Sequence, residues 1–282
     1  MAAGSAEPSA GIATGRAEQR GLFLARLLRH VGRYYPLAVL VLLWEALGRF
    51  GLVDELTLPS VQSVAHAFAD LLGSGEIFGH IATSAFRALT SFIIVMVVGI
   101  PLGLIWGLTK RGEEILDRLI SFAYPIPKVA LIPLFILWLG IGELSKLAII
   151  IVAAIFPLLV NTYAGVKGTS KHLVWSALSM GATRQEIFRR IIFPSTLPHI
   201  FTGLRLAMGV SWILLFSAEM LASDRGLGFL TLMGENELRT DVVLVGLICI
   251  GGFGFGCDRL LRLLSRRLCH WYFAMGFEKG DR

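Results

Sequence analysis

The chain has 282 residues, of which 55% are hydrophobic and only 16% charged, with a formal net charge of +6 and a mean hydropathy of +0.71. A soluble domain carries roughly 25% charged residues, and the deficit here sits in long apolar runs, the pattern of membrane spans. The basic residues gather at the edges of those runs, which reads as membrane orientation and sets nucleic-acid binding aside.

Residues 1–34 are expected to form a cytoplasmic tail. Met1 to Gly15 is rich in Ala, Gly and Ser and lacks the apolar core of a secretory signal. Gly21 to Tyr34 places Arg26, Arg29 and Arg33 among leucines, a basic amphipathic lead-in to a membrane surface. About six spans follow within residues 35–264, each near the ~20 residues that cross a bilayer. They are predicted at 35–53, 85–108, 115–140, 147–166, 197–221 and 242–264, the third interrupted by Pro125, Pro127 and Pro133. Residues 265–282 form a second basic tail. Between the first two spans, Pro59-Ser60 followed by Val61, Val64, Ala65, Phe68, Leu71 and Leu72 predicts a capped amphipathic helix that stops at Gly73-Ser74-Gly75. The fold class is therefore an all-α integral membrane protein.

With both termini inside, the inner segments hold 19 Lys and Arg and the outer loops hold 3, Lys146, Arg225 and Arg239. An asymmetry of that size places the termini in the cytoplasm. The cysteines Cys249, Cys257 and Cys269 have no metal-ligand spacing and read as free thiols.

The loop 167–195, on the inside between the fourth and fifth spans, carries the most local instruction. Lys171 to Met180 reads as a helix, and Gly181 can take the left-handed conformation that ends it. Thr183 with Glu186 three residues on is a capping box that starts a second helix, and Pro194 is expected to close it. Two short helices with a fixed elbow suit a knob that transmits motion from a soluble partner; the alternative is a surface hairpin with no partner.

At this loop the sequence resembles the EAA loop of ABC importer permeases, Glu-Ala-Ala, three residues, Gly, nine residues, Ile, one residue, Leu-Pro. Ala177, Gly181, Ile191 and Pro194 match at that spacing. Trp175 stands where the family usually has Glu, Ser176 where it has the first Ala, and Phe193 where it has Leu. The resemblance runs from about Leu58 to Phe273 and is closest to the nitrate, sulfonate, taurine and bicarbonate branch. It is carried also by Leu58-Pro59-Ser60, Ile126-Pro127-Lys128, Ala218-Glu219 and Gly226-Leu227-Gly228. It implies a homodimeric permease in a bacterial inner membrane, two cytoplasmic ATPase subunits and an extracytoplasmic solute-binding protein. Ala177, Gly181, Ala182, Thr183, Glu186, Ile191 and Pro194 would then form the element that docks on the ATPase. The chain has no Gly-Lys pair and hence no phosphate-binding P-loop. It should bind no cofactor itself, and ATP with Mg belongs on the partner. The branch suggests a small anionic solute such as a sulfonate, taurine or nitrate; a cofactor precursor is the alternative.

Polar groups at membrane depth are costly and default to functional candidates. Lys128 lies between two helix-breaking prolines and either faces an anion pathway or snorkels to the headgroups. Arg205 poses the same choice, and Glu219 is a third pathway candidate. Arg87, at the start of the second span, reads as an interface anchor. Glu45 has Arg49 at i, i+4 as its expected partner. Gly99, Gly103 and Gly107 form a small-residue stripe for close helix packing, within or between subunits. A secondary transporter would show inverted repeats and a coupling acid, and a membrane enzyme would show a catalytic motif; neither is found.

Overall fold

The structure, a computed structural model, describes residues 35–274 except Leu37, Gly51, Leu52 and Tyr124. The predicted tail 1–34 and residues 275–282 lie outside the described residues, where every regular element is helical. The chain divides after Ala65 into two units.

In the first unit, helix α1 (38–49) comes from the first predicted span. Trp44 Nε1 donates to the Pro59 carbonyl at 2.8 Å. Glu45 accepts from the backbone N–H of Val61 at 2.9 Å, so it serves the start of helix α2 (Val61–Gly73) instead of pairing with Arg49. An unsatisfied first-turn N–H attracts a carboxylate more firmly than an exposed side-chain neighbour does. Ser60 completes the cap, its Oγ accepting from Ser63 N at 3.1 Å. Helix α2 is the predicted amphipathic helix, and Gly75, at φ 78, turns the chain out of it.

In the second unit, α3 (Glu76–Leu108) begins nine residues before the predicted second span and runs through Pro101. The predicted third span is not one rod. Its first part is α4 (Lys110–Ala123); a 3-10 turn at Lys128–Leu131 and α5 (Ile132–Leu139) follow across a sharp bend. Pro125 and Pro127 donate no backbone hydrogen bond, and Pro127 pushes Ile126 before it out of helical conformation. The six charged residues of α4 also make its sequence more a surface helix than a crossing one. Helix α6 (Glu143–Lys167) follows. Then come α7 (Lys171–Ser179), α8 (Arg184–Ile187) and a π turn at Phe188–Ile192. Helices α9 (Phe193–Ala222), α10 (Leu227–Asn236), α11 (Thr240–Leu268) and α12 (His270–Ala274) complete the described chain. Four helical runs are long and apolar enough to cross a membrane, and five if the bent pair counts as one span.

Helix α6 is the centre, packed between α3 and α9. The small-residue stripe explains how close it lies. A Cβ added at Gly103 would come within 2.7 Å of Thr162, and one at Gly107 within 2.6 Å of Val166, both on α6. The stripe therefore packs α3 within the subunit. On the other face, Gly165 of α6 meets His199 and Gly203 of α9 meets Asn161. Ile149, Ala153, Leu158, Leu204, Ala207 and Leu215 fill the space between. Phe86, Val97, Ile213 and Phe255 point outward, as side chains facing lipid do.

Candidate functional site

The loop between α6 and α9 folds as a hairpin whose bend is fixed twice. Helix α7 ends in a Schellman motif: Ala182 N donates to Ala177 O at 3.0 Å and Gly181 N to Leu178 O at 2.9 Å. Gly181 sits at φ 82, a conformation that a β-branched residue resists. No atom lies within 4 Å of where its Cβ would be, so the requirement for glycine is conformational and not steric. Two residues on, Thr183 Oγ1 accepts from Glu186 N at 3.3 Å, and Thr183 N donates to Glu186 Oε2 at 2.9 Å, the reciprocal capping box. The backbone N–H and then the hydroxyl of Thr183 hold the Glu186 carboxyl below the usual carboxylate range. Ala177 and Ile187 are buried at the bend, while Trp175 is 59% and Met180 81% exposed. The hairpin thus presents large apolar side chains on a rigid frame.

Pro194 does not close the second helix. Residues 184–222 form one continuous helical run of 39 residues. In an ideal α-helix the proline ring would strike the carbonyl four residues back. Here the π turn Phe188–Ile192 ends just before it, changing the register of the ladder where the clash would fall. Helix α9 resumes at Phe193 with Pro194 as its second residue, so the run continues through the proline although Pro194 donates no N–H to it. The hairpin is therefore the end of a membrane helix, not a loop hung from it.

The far end of that helix enters a buried ion cluster. Arg87 of α3 is 1% exposed and Glu219 of α9 is 0% exposed. Arg87 Nη1 donates to Glu219 Oε1 at 2.9 Å and to the Arg225 carbonyl at 2.7 Å. Its Nε donates to Glu143 Oε2, at the start of α6, at 2.7 Å. Ser84, one turn from Arg87, donates to Glu219 Oε2 at 2.8 Å and accepts from Leu227 N at 2.8 Å. Gly228 N also donates to Glu219, at 3.0 Å. The carboxylate thus sits at the N-terminus of α10, where helix amides favour an anion. Gly226 has φ 126, and any Cβ there would strike the Glu219 carboxyl. One guanidinium consequently joins three membrane helices and the loop before the short helix α10.

The remaining predicted residues are apart from these two places. Lys128 Nζ donates to the Ala123 carbonyl at 2.8 Å, stapling the break between α4 and the 3-10 turn. Arg205 Nε pairs with Asp258 Oδ1 of α11 at 2.7 Å, and Arg262 takes the other oxygen of Asp258 at 2.7 Å. Near the hairpin, Lys167 bonds Glu113 of α4 at 2.7 Å.

Residues 99–270 match the family described as the binding-protein-dependent transport system inner membrane component. The chain belongs to that family. It is the membrane permease subunit of an ATP-binding-cassette importer. The taurine transport system permease protein TauC of Escherichia coli is 36% identical over 84% of this chain and 88% of its own. The Escherichia coli protein that carries the name aliphatic sulfonates transport permease SsuC is 37% identical over 87% of this chain and 93% of its own. Among solved structures, a chain of the inward-facing MetNI methionine transporter superposes with a TM-score of 0.49 at 18% identity, over 66% of this chain and 95% of that one.

In the permease, the hairpin residues Ala177, Gly181, Ala182, Thr183 and Glu186 form one unit, with Ile191 in the π turn and Pro194 just beyond it. Lys128, Arg205 and Glu219 do not meet: each has its own partners. Sequence reasoning missed the centre of the ion cluster, because Arg87 is buried and is not an interface anchor. A signal was present. Three apolar runs carry charges near the same end, Arg87, Glu143 with Lys146, and Glu219, and charges at membrane depth pair with one another.

Proposed function

We propose that this permease imports a small anionic solute of the alkanesulfonate or taurine class, or a nitrate-like anion, across a bacterial inner membrane. Its termini would lie in the cytoplasm, as the Lys and Arg distribution indicates. A homodimer of this chain would carry two cytoplasmic ATPase subunits that bind ATP and Mg, and would receive solute from an extracytoplasmic binding protein. The hairpin docks on the ATPase. The observation that carries this reading is a hairpin locked by a Schellman motif and a capping box, presenting Trp175 and Met180, and continuous with a 39-residue helix. A displacement applied there moves a rigid element and is not absorbed by a slack loop.

The solute class is supported by the relatives named for taurine and aliphatic sulfonates. Lys128, at the proline break, is the pathway residue we favour. Arg205 and Glu219 could meet a solute only if their ion pairs opened. The test is growth of a strain lacking this gene on taurine or alkanesulfonates as sole sulfur source, and on nitrate as sole nitrogen source. A defect on one nutrient, rescued by the intact gene but not by Gly181→Val, is the expected result. Normal growth on every nutrient in the panel would overturn the solute class.

A further inference from the structure

A cleft of about 190 Å³ opens between α9, α11 and α12. It is lined by His199 and Arg205 of α9, Arg262, Ser265 and Arg266 of α11, and Tyr272 of α12. Asp258 is shared by Arg205 and Arg262, and Arg266 has no acid partner among the described residues. Three guanidiniums therefore stand against one carboxylate, and the cleft keeps an excess of positive charge that a bound anion would neutralise.

Its depth says what kind of anion. Arg205 lies 18 residues before Ser223, which caps the far end of α9, or about 27 Å along the helix axis. Arg262 lies 22 residues after Thr240, the first residue of α11, or about 33 Å. The hydrocarbon core is about 30 Å thick, so both helices bring the cleft to the boundary on the hairpin side. Leu206 and Leu263, next in the chain to Arg205 and Arg262, are exposed, so at the depth of the cleft both helices also carry apolar side chains of the kind acyl chains cover.

We propose that this cleft holds the phosphate headgroup of an acidic phospholipid. The chemistry is a tetrahedral phosphate oxyanion gripped by guanidinium forks, and the source is the membrane, as for other basic clefts between spans. Only the leaflet, the inner one, rests on the orientation given under the proposed function.

The experiment is native mass spectrometry of the full-length permease, purified in mild detergent with the subunits that accompany it. It would be titrated with phosphatidylglycerol, with phosphatidylcholine and, separately, with inorganic phosphate. Phosphatidylglycerol should be retained about fivefold or more over phosphatidylcholine. Arg266→Gln should reduce that retention about fivefold, one cation's share near a headgroup. Arg266→Lys should keep most of it, and Asp258→Asn should raise it by removing the competing carboxylate. Equal retention of the two lipids, or a preference indifferent to Arg266→Gln and Asp258→Asn, would overturn the site. Displacement of the lipid by millimolar phosphate would overturn the membrane as its source. Failure of sulfonate uptake with an intact lipid preference would sink the uptake reading and leave this one standing.

Discussion

Removing Arg87 should be about twice as damaging as neutralising the acid it pairs with. In Arg87→Met, Glu219 stays fully buried and keeps the donors Ser84 and Gly228 N, but it loses the one cation bonded to it among the described residues. Stripping one partner from a buried pair costs about 3–5 kcal/mol, because the remaining charge is uncompensated. In Glu219→Gln, Arg87 retains both bonds to Glu143, so the loss is nearer one charge-assisted hydrogen bond, about 1.5–3 kcal/mol. Combining the two should cost less than their sum by about 2 kcal/mol, since a neutral carboxamide no longer needs the guanidinium. Thermal unfolding of the purified full chain would read this as a fall in Tm of about 10 °C for Arg87→Met, at roughly 2–4 °C per kcal/mol. Glu219→Gln should fall by about half of that. A shift of about 1 °C for Arg87→Met, or simple additivity in the double variant, would refute the idea that this buried cation is held chiefly for its carboxylates.

At the opposite end, Gly181→Val should leave expression and folding of the spans intact but uncouple ATP hydrolysis from uptake, because valine resists the φ of 82; coupled uptake at the wild-type rate would remove the elbow from the mechanism. Gly103→Val should lower Tm by several degrees, since its side chain meets Thr162 Cβ within 2.7 Å and the Leu159 carbonyl within 3.3 Å and overpacking costs about 1–3 kcal/mol; an unchanged Tm would mean that α3 and α6 separate easily. Glu186 has its carboxyl depressed by Thr183, so its contribution to the hairpin is complete above the unfolded value of about 4.3 and disappears as pH falls through the lower folded value. Hydrogen exchange over residues 180–190 should accordingly show wild type better protected than Glu186→Gln at pH 7, with the gap closing in acid; a gap that does not narrow as the pH is lowered would contradict the cap.

What could be read from the sequence was whatever the chain specifies locally. The left-handed Gly181, the Thr183–Glu186 box and the helix from Val61 to Gly73 each rest on residues within about one turn of each other, and all three are where the spacing put them. The glycine stripe at 99, 103 and 107 was legible as a close-packing face, though not its partner, which lies more than fifty residues away on α6. Arg87 was misread for the same reason: its partners Glu143 and Glu219 are 56 and 132 residues on, and nothing near it in the chain announces them. Glu45 shows the converse error. An i, i+4 arginine was at hand, yet a helix N-terminus brought up by the fold took the carboxylate. Pro194 was misread because the rule that proline ends a helix assumes an uninterrupted α ladder. A π turn just upstream removes that assumption, and no residue pattern in Phe188–Ile192 advertises it.

The continuity across Pro194 changes what the hairpin can do. Had the helix stopped there, a flexible joint would separate the exposed Trp175 and Met180 from the bundle, and a push on the hairpin would be spent in bending that joint. Instead, 33 residues of unbroken helix, about 50 Å, connect the capping residue Glu186 to the buried Glu219. At that far end the helix is not free to slide, because Glu219 is tied through Arg87 to α3 and α6 and through backbone amides to α10. A rod held at one end by a buried ion cluster and displaced at the other can respond only by pivoting about the cluster, by flexing at the π turn, or by opening the ion pairs. Of these, opening the ion pairs is a discrete change. That is the property a membrane element needs if a partner's two states are to become two states of the pore rather than a graded deformation.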